Sequence, residues 1–318
     1  MILNRRGLAA LPLAAPALAQ SFPSQPIRLV TPYPPGGGTD TVARILLPHL
    51  AAQLGQTIIV ENRGGAGGAI GAAEVARAAP DGHTLLLDAM GHVVNPSLMP
   101  NLPFEYATAF APITQLTLQP QMLVVPQASP FATLAALIEA ARARPGVFNF
   151  ASSGNGTGAH LAMVALSRAA GMDVVHVPYR GGGPATTDLL AGNVSMAFAS
   201  VAAATAHVQS GRLRALGAAG PRPIPALPAM LPIAEQGFPG FDWDEWNGLW
   251  TTAGVPRGAV VRLHAAALFA LAQPDVRARM AGIGIVPLGT GEADFAAFVA
   301  AQRERAAQLI RAANITLG

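Results

Sequence analysis

The residues best equipped for chemistry in this chain are two runs of glycine and small polar residues, rather than acids, bases or nucleophiles. Tyr33-Pro34-Pro35-Gly36-Gly37-Gly38-Thr39-Asp40 follows a short apolar run (Ile27, Leu29, Val30) and precedes a helical pattern. A strand that breaks into a glycine loop and then a helix leaves bare N–H groups at the helix start. With the positive end of the helix dipole, those groups form a site for an anion. The construction recurs at Ala151-Ser152-Ser153-Gly154-Asn155-Gly156-Thr157-Gly158. Two such loops, one in each half of the chain, imply a cleft that grips a small anionic ligand from both sides.

Other chemistries are excluded by what the sequence lacks. A phosphate loop needs a lysine after its glycines, and all 20 basic residues here are arginine. No G-x-G-x-x-G opens a helix after the first strand, so a dinucleotide fingerprint is absent. There is no cysteine and no close histidine pair with metal-ligand spacing, so neither a zinc site nor thiolate chemistry is expected. No G-x-S-x-G elbow is present, and no Ser/His/acid arrangement is evident. The expectation is a protein without cofactor, metal or catalytic centre.

The elements that must position the loops alternate as in an α/β protein with largely parallel sheets. Strands are expected at 27–31, 57–61, 84–87, 121–125, 148–151, 174–177, 195–199 and 213–218. Helices are expected at 39–54, 70–78, 133–143, 158–170, through Asp188 and Leu190, and at 258–272, 275–281 and 293–313. Pro48 lies inside the first helix, where a proline costs about 3 kcal/mol or forces a kink. Pro221 to Pro232 holds five prolines and reads as an extended linker. Phe241 to Thr252 gathers all three tryptophans, Trp243, Trp246 and Trp250.

The first residues read as an address. Arg5 and Arg6 precede an apolar run from Gly7 to Pro16, and Ala17-Leu18-Ala19 gives a small-x-small cleavage pattern. A signal peptide over 1–19, cut near Gln20, is expected. The arginine pair is shared with twin-arginine signals, whose flanking residues match only partly, so the export route stays open. Without Arg5 and Arg6, 18 arginines face 17 acidic residues, a net charge of +1. That balance leaves no footprint for nucleic acid and no polybasic membrane patch. Hydrophobic residues make up 51% of the chain, enough for a sizeable core.

Further motifs occur in a fixed order: Val60-Glu61-Asn62-Arg63-Gly64-Gly65-Ala66-Gly67-Gly68, Pro80-Asp81-Gly82-His83-Thr84-Leu85-Leu86, and His92 with Asn95-Pro96-Ser97-Leu98. Phe110-Ala111-Pro112-Ile113, His160-Leu161 after the second loop, Val175-His176-Val177-Pro178-Tyr179-Arg180-Gly181 and Gly211-Arg212-Leu213-Arg214-Ala215-Leu216 follow. Together with the two glycine loops, this order resembles the Bug-type solute receptors of the tripartite tricarboxylate transporter family, over essentially the whole mature chain. The resemblance implies an α/β, two-lobed periplasmic binding protein of type II-like plan, with two Rossmann-like lobes, a central ligand cleft and two chain crossings. It places one lobe at 22–120 plus 245–318 and the other at 121–244, with crossings near Gln121 and Trp246. It also implies a small carboxylate ligand (a dicarboxylate, tricarboxylate, amino acid or aromatic acid), membrane permease subunits as partners, and a periplasmic receptor; a monomer is the default expectation, with oligomeric state open. A periplasmic sensor kinase is the alternative partner; a hydrolase or transferase is the distant alternative function.

The ligand-facing set expected from loops and family together is Tyr33, Gly36, Gly37, Gly38, Thr39, Asp40, Asp88, Ser152, Ser153, Gly154, Asn155, Thr157, His160, Tyr179 and Arg180. N–H groups of Gly37, Gly38, Thr39 and Asp40 would hold one carboxylate. Those of Ser153, Gly154, Asn155 and Thr157 would hold the rest of the ligand. Tyr33 either walls the cleft or packs in the core. Arg180 either pairs with a carboxylate or is solvated, and Arg63 reads as structural. His160 either touches ligand or makes a local hydrogen bond; His92 and Asn95 would fix the loop after the third strand. Relatives in the family usually carry a small residue where this chain has Asp88, and an acid where it has Ala199-Ser200. An acid at a strand end disfavours a plain dianion nearby and favours an ammonium or hydroxyl group, unless Asp88 pairs with an arginine. Asp242, Asp244 and Glu245 read as a solvated acidic turn.

Overall fold

The computed structural model describes residues 22–224 and 226–316; the expected signal peptide lies outside them. The chain opens with β1 (Ile27–Thr31), α1 (Gly38–Leu54), β2 (Ile58–Asn62), α2 (Ala69–Ala76), β3 (Thr84–Asp88), α3 (Gly91–Leu98) and the long β4 (Phe110–Gln119). Next come β5 (Gln121–Pro126), α4 (Leu134–Ala143), β6 (Asn149–Ser152), α5 (Gly158–Ala170), β7 (Val175–Pro178), α6 (Gly182–Ala191), β8 (Met196–Ser200), α7 (Val201–Gln209) and β9 (Leu213–Ala218). After the proline-rich stretch, β10 (Glu245–Thr252), α8 (Arg257–Ala272), α9 (Pro274–Gly282), β11 (Val286–Pro287) and α10 (Glu292–Ala313) complete it.

Two sheets result, ordered β11-β4-β10-β3-β1-β2 and β7-β6-β8-β5-β9. Each has a parallel part, β2-β1-β3 in the first and β7-β6-β8 in the second. The rest is antiparallel, because β10 runs against β3 and β4, and β5 runs against β8 and β9. The sheets are therefore mixed rather than largely parallel. The reason is topological: strands that carry the chain between sheets arrive from the opposite end.

The chain passes from the first sheet to the second between Gln119 and Gln121, and returns at Asp244–Glu245. The two passages are tied together. Gln121 donates its backbone N–H to Asp244 Oδ1 at 2.9 Å and its side-chain amide to the Trp243 carbonyl at 3.2 Å. Asp244 is thus buried rather than solvated, and burial pushes its carboxyl up to about 7 against the opposing Gln121 bond.

Alternation along β10 assigns its two faces. Trp246 and Trp250 pack with Phe295 of α10, and Trp250 stacks on His92 at 4.0 Å. Glu245 and Asn247 fall on the other face. Pro48 does not end α1, which continues to Leu54. The proline is exposed, so the carbonyl it leaves unpaired faces water. His92 and Asn95, expected to fix the loop after the third strand, lie within α3, from which Asn95 Nδ2 donates to the Gly67 carbonyl at 3.0 Å.

Candidate functional site

Between the sheets lies a cavity of about 500 Å³. Five helices begin at its wall: α1, α3, α5, α6 and α7, each following the carboxyl end of a strand (β1, β3, β6, β7 and β8). This is where ligands sit in open α/β sheets, and each helix start presents N–H groups and a positive dipole end. Both glycine loops take part. Gly37, Gly38 and Thr39 line the cavity from one sheet; Ser152, Ser153, Asn155, Gly156 and Thr157 line it from the other. No arginine or histidine lines it among the described residues.

The first loop is fixed by Asp40. Its Oδ2 accepts the Gly36 N–H at 2.9 Å and Arg44 Nε at 2.9 Å, while Oδ1 accepts Asn62 Nδ2 at 3.0 Å. Burial alone would raise this carboxyl, but the Arg44, Gly36 and Asn62 bonds outweigh it and hold it below its ordinary value. Gly36 sits at φ 79, a conformation that disfavours any side chain. With the loop so pinned, the N–H groups of Gly38, Thr39 and Asp40 have no acceptor among the described residues.

The second loop is fixed by His160. Its Nδ1 accepts the Gly156 N–H at 3.1 Å, and its ring stacks on His176 at 4.0 Å. Burial first, then the neighbouring His176, lowers the His160 pKa to about 4, so the ring is neutral and able to accept. Ser152 Oγ bonds the Gly154 carbonyl and N–H and lies 2.6 Å from His176 Nε2. Among the described residues no carboxylate holds the other nitrogen of His176, so this serine lacks a triad.

Several expected residues stand behind the cavity wall. Asp88 is buried and accepts from Tyr33 Oη at 2.9 Å and the Ala89 N–H at 2.8 Å, with His92 Nδ1 3.4 Å from its other oxygen. It neither lines the cavity nor pairs with an arginine; it holds Tyr33, which does line it. Gly36, Asp40, Gly154 and His160 shape the loops without reaching the lining. Tyr179 is drawn to α6 by a 2.6 Å bond to Asp188, and Arg180 is exposed, so neither joins the wall; Gly181 and Gly182 do. Arg63 bonds Glu61 at 2.9 Å on the outer side of β2.

The sequence reading missed the floor, which comes from the crossing strands. Gln119, Gln121, Glu245 and Asn247 all line the cavity. Gln119 Nε2 donates to Asn247 Oδ1 at 2.5 Å, and Asn247 Nδ2 donates to Thr39 Oγ1 at 3.1 Å. Glu245 Oε1 accepts the Gly158 N–H at 2.7 Å. A Cβ on Gly158 would lie 2.5 Å from that oxygen, so the glycine permits the approach. Period-two alternation of Glu245 and Asn247 was the available signal.

A two-lobed α/β binding-protein fold with a dipole-lined cleft between its sheets defines the class. The chain belongs to the tripartite tricarboxylate transporter family receptors, whose family model matches residues 42–315. BugT of Bordetella pertussis is 35% identical over 301 residues, covering 94% of this chain and 92% of BugT. The structure of the periplasmic binding protein BugD is 32% identical with TM-score 0.79, covering 93% of this chain and 99% of that one. MatC from Rhodopseudomonas palustris with bound malate is 32% identical with TM-score 0.78, covering 91% and 100%.

Proposed function

We propose that this chain is a non-catalytic periplasmic receptor that captures a small carboxylate in the cleft and delivers it to the membrane permease of a tripartite tricarboxylate transporter. The observation that carries this is the convergence of five helix starts, with unpaired N–H groups at Gly38 and Thr39, on a cavity that has no basic side chain in its lining among the described residues. Anion capture by such groups needs no lysine. A relative of similar fold holds malate, which supports the ligand class. The lobes are 22–120 with 245–318 and 121–244, hinged at the paired crossings. Closure brings both loops onto one ligand, so binding favours the closed state. The loop residues Gly37, Gly38, Thr39, Ser153, Asn155 and Thr157 make the contacts, and Tyr33 closes one side.

Thermal unfolding of the mature chain against a panel of mono-, di- and tricarboxylates and amino acids tests the reading. A true ligand at a thousandfold excess over its Kd adds about 4 kcal/mol of stability. A panel in which no carboxylate-bearing compound moves the midpoint at millimolar concentration would refute it.

A further inference from the structure

The cavity has one acidic side chain in its lining, Glu245, and no cationic one among the described residues. Glu245 already occupies the start of α5: its Oε1 accepts the Gly158 N–H at 2.7 Å, where a ligand carboxylate oxygen would otherwise sit. Its other oxygen, Oε2, takes no hydrogen bond from any described residue. Two residues along the same face of β10, Asn247 is bonded to Thr39 at the start of α1. Two strand residues span about 6.6 Å. One end of the cleft floor therefore offers open amides, and the other, about one short carbon chain away, offers a carboxylate oxygen.

A dicarboxylate stretched along this floor would set its second charge against Glu245, and like charges in a partly dry cleft repel strongly. A cationic group in that place instead meets Oε2 and completes its hydrogen bonding. We propose that Glu245 sets the specificity of the cleft, selecting a monocarboxylate with a cationic group at its far end, the ω-amino acid class, over a dicarboxylate. This rests on the receptor reading and narrows its ligand. The competing role for Glu245 is a neutral carboxylic acid that donates a hydrogen bond to a second ligand carboxylate.

Calorimetric titration of the mature chain with matched pairs separates the two. The pairs are 4-aminobutanoate with succinate and 6-aminohexanoate with adipate. The wild type is expected to bind the amino member of at least one pair tenfold or more tightly than its dicarboxylate partner. In Glu245→Gln, which keeps an oxygen for the Gly158 N–H but loses the charge, that ratio falls at least tenfold. Glu245→Ser serves if the first variant melts early. A wild type that prefers the dicarboxylate in both pairs, or a ratio unchanged in the variants, overturns the assignment of Glu245 and leaves the receptor reading standing. A wild type that binds neither these nor any other carboxylate overturns both.

Discussion

The two glycine loops use one device with different atoms. In each, a loop glycine gives its N–H to the side chain four residues on, inside the first turn of the following helix: Gly36 to Asp40, and Gly156 to His160. In the first loop the acceptor is an anion, compensated by Arg44 and Asn62. In the second it is a neutral ring held uncharged by burial and by His176. The loops also differ in what reaches their amides. The start of α1 is open, whereas the start of α5 already holds Glu245, which comes from the other sheet. The same local shape thus gives one vacant end and one end answered from across the junction.

Removing the anionic anchor should have the largest effect. Asp40→Ala removes one acceptor each from Gly36, Asn62 and Arg44 at once, and a loss of about 2–3 kcal/mol is expected in denaturant melts, together with loss of ligand response. A variant that melts like the wild type would show that the loop holds its shape without Asp40.

His160→Ala should cost about 1–2 kcal/mol, from one hydrogen bond and the stack on His176. The loops should also separate by pH. The folded His160 has a lowered pKa, so the unfolded chain takes up the proton first as pH falls. Its stabilisation is complete above the ordinary 6.5 and is lost as pH falls toward about 4. His160→Asn should flatten the stability profile in that window; an unchanged slope would assign it to other groups.

The effect at the junction between the loops should depend on pH and vanish in acid. Asp244 has a raised folded value, so its contribution is complete below the ordinary 3.8 and is lost as pH rises through about 7. Asp244→Asn keeps an oxygen for the Gln121 N–H and should be more stable than the wild type at pH 8, by up to about 4 kcal/mol, with little difference at pH 4. Equal stabilities at pH 8 would mean that the wild-type carboxylate is already well solvated.

Legibility followed locality. The first loop could be read because an apolar run, three glycines and a helical pattern are consecutive in the chain. β4 was hidden by Pro112 within it and by its mixture of polar and apolar residues, and α3 by Gly91 at its start and Pro96 inside. Asp244 and Glu245 looked solvated because they form an acidic cluster with Asp242. Their partners are Gln121 and Gly158, 123 and 87 residues away, which no local pattern contains. Tyr179 and Arg180 sit at a strand end, as expected of ligand residues, but a strand end shows only where the backbone arrives and not where its side chains turn.

If the cleft captures anions as proposed, its lining among the described residues has peptide dipoles but no positive side chain to project a field into solvent. Dipole fields fade faster with distance than those of ions, and Glu245 adds a faint repulsion. Encounter with ligand should therefore be ordinary diffusion, at a rate that added salt barely alters, whereas an arginine-lined trap would slow as ionic strength rises. Selectivity is then expressed in how long a ligand stays rather than in how often it arrives.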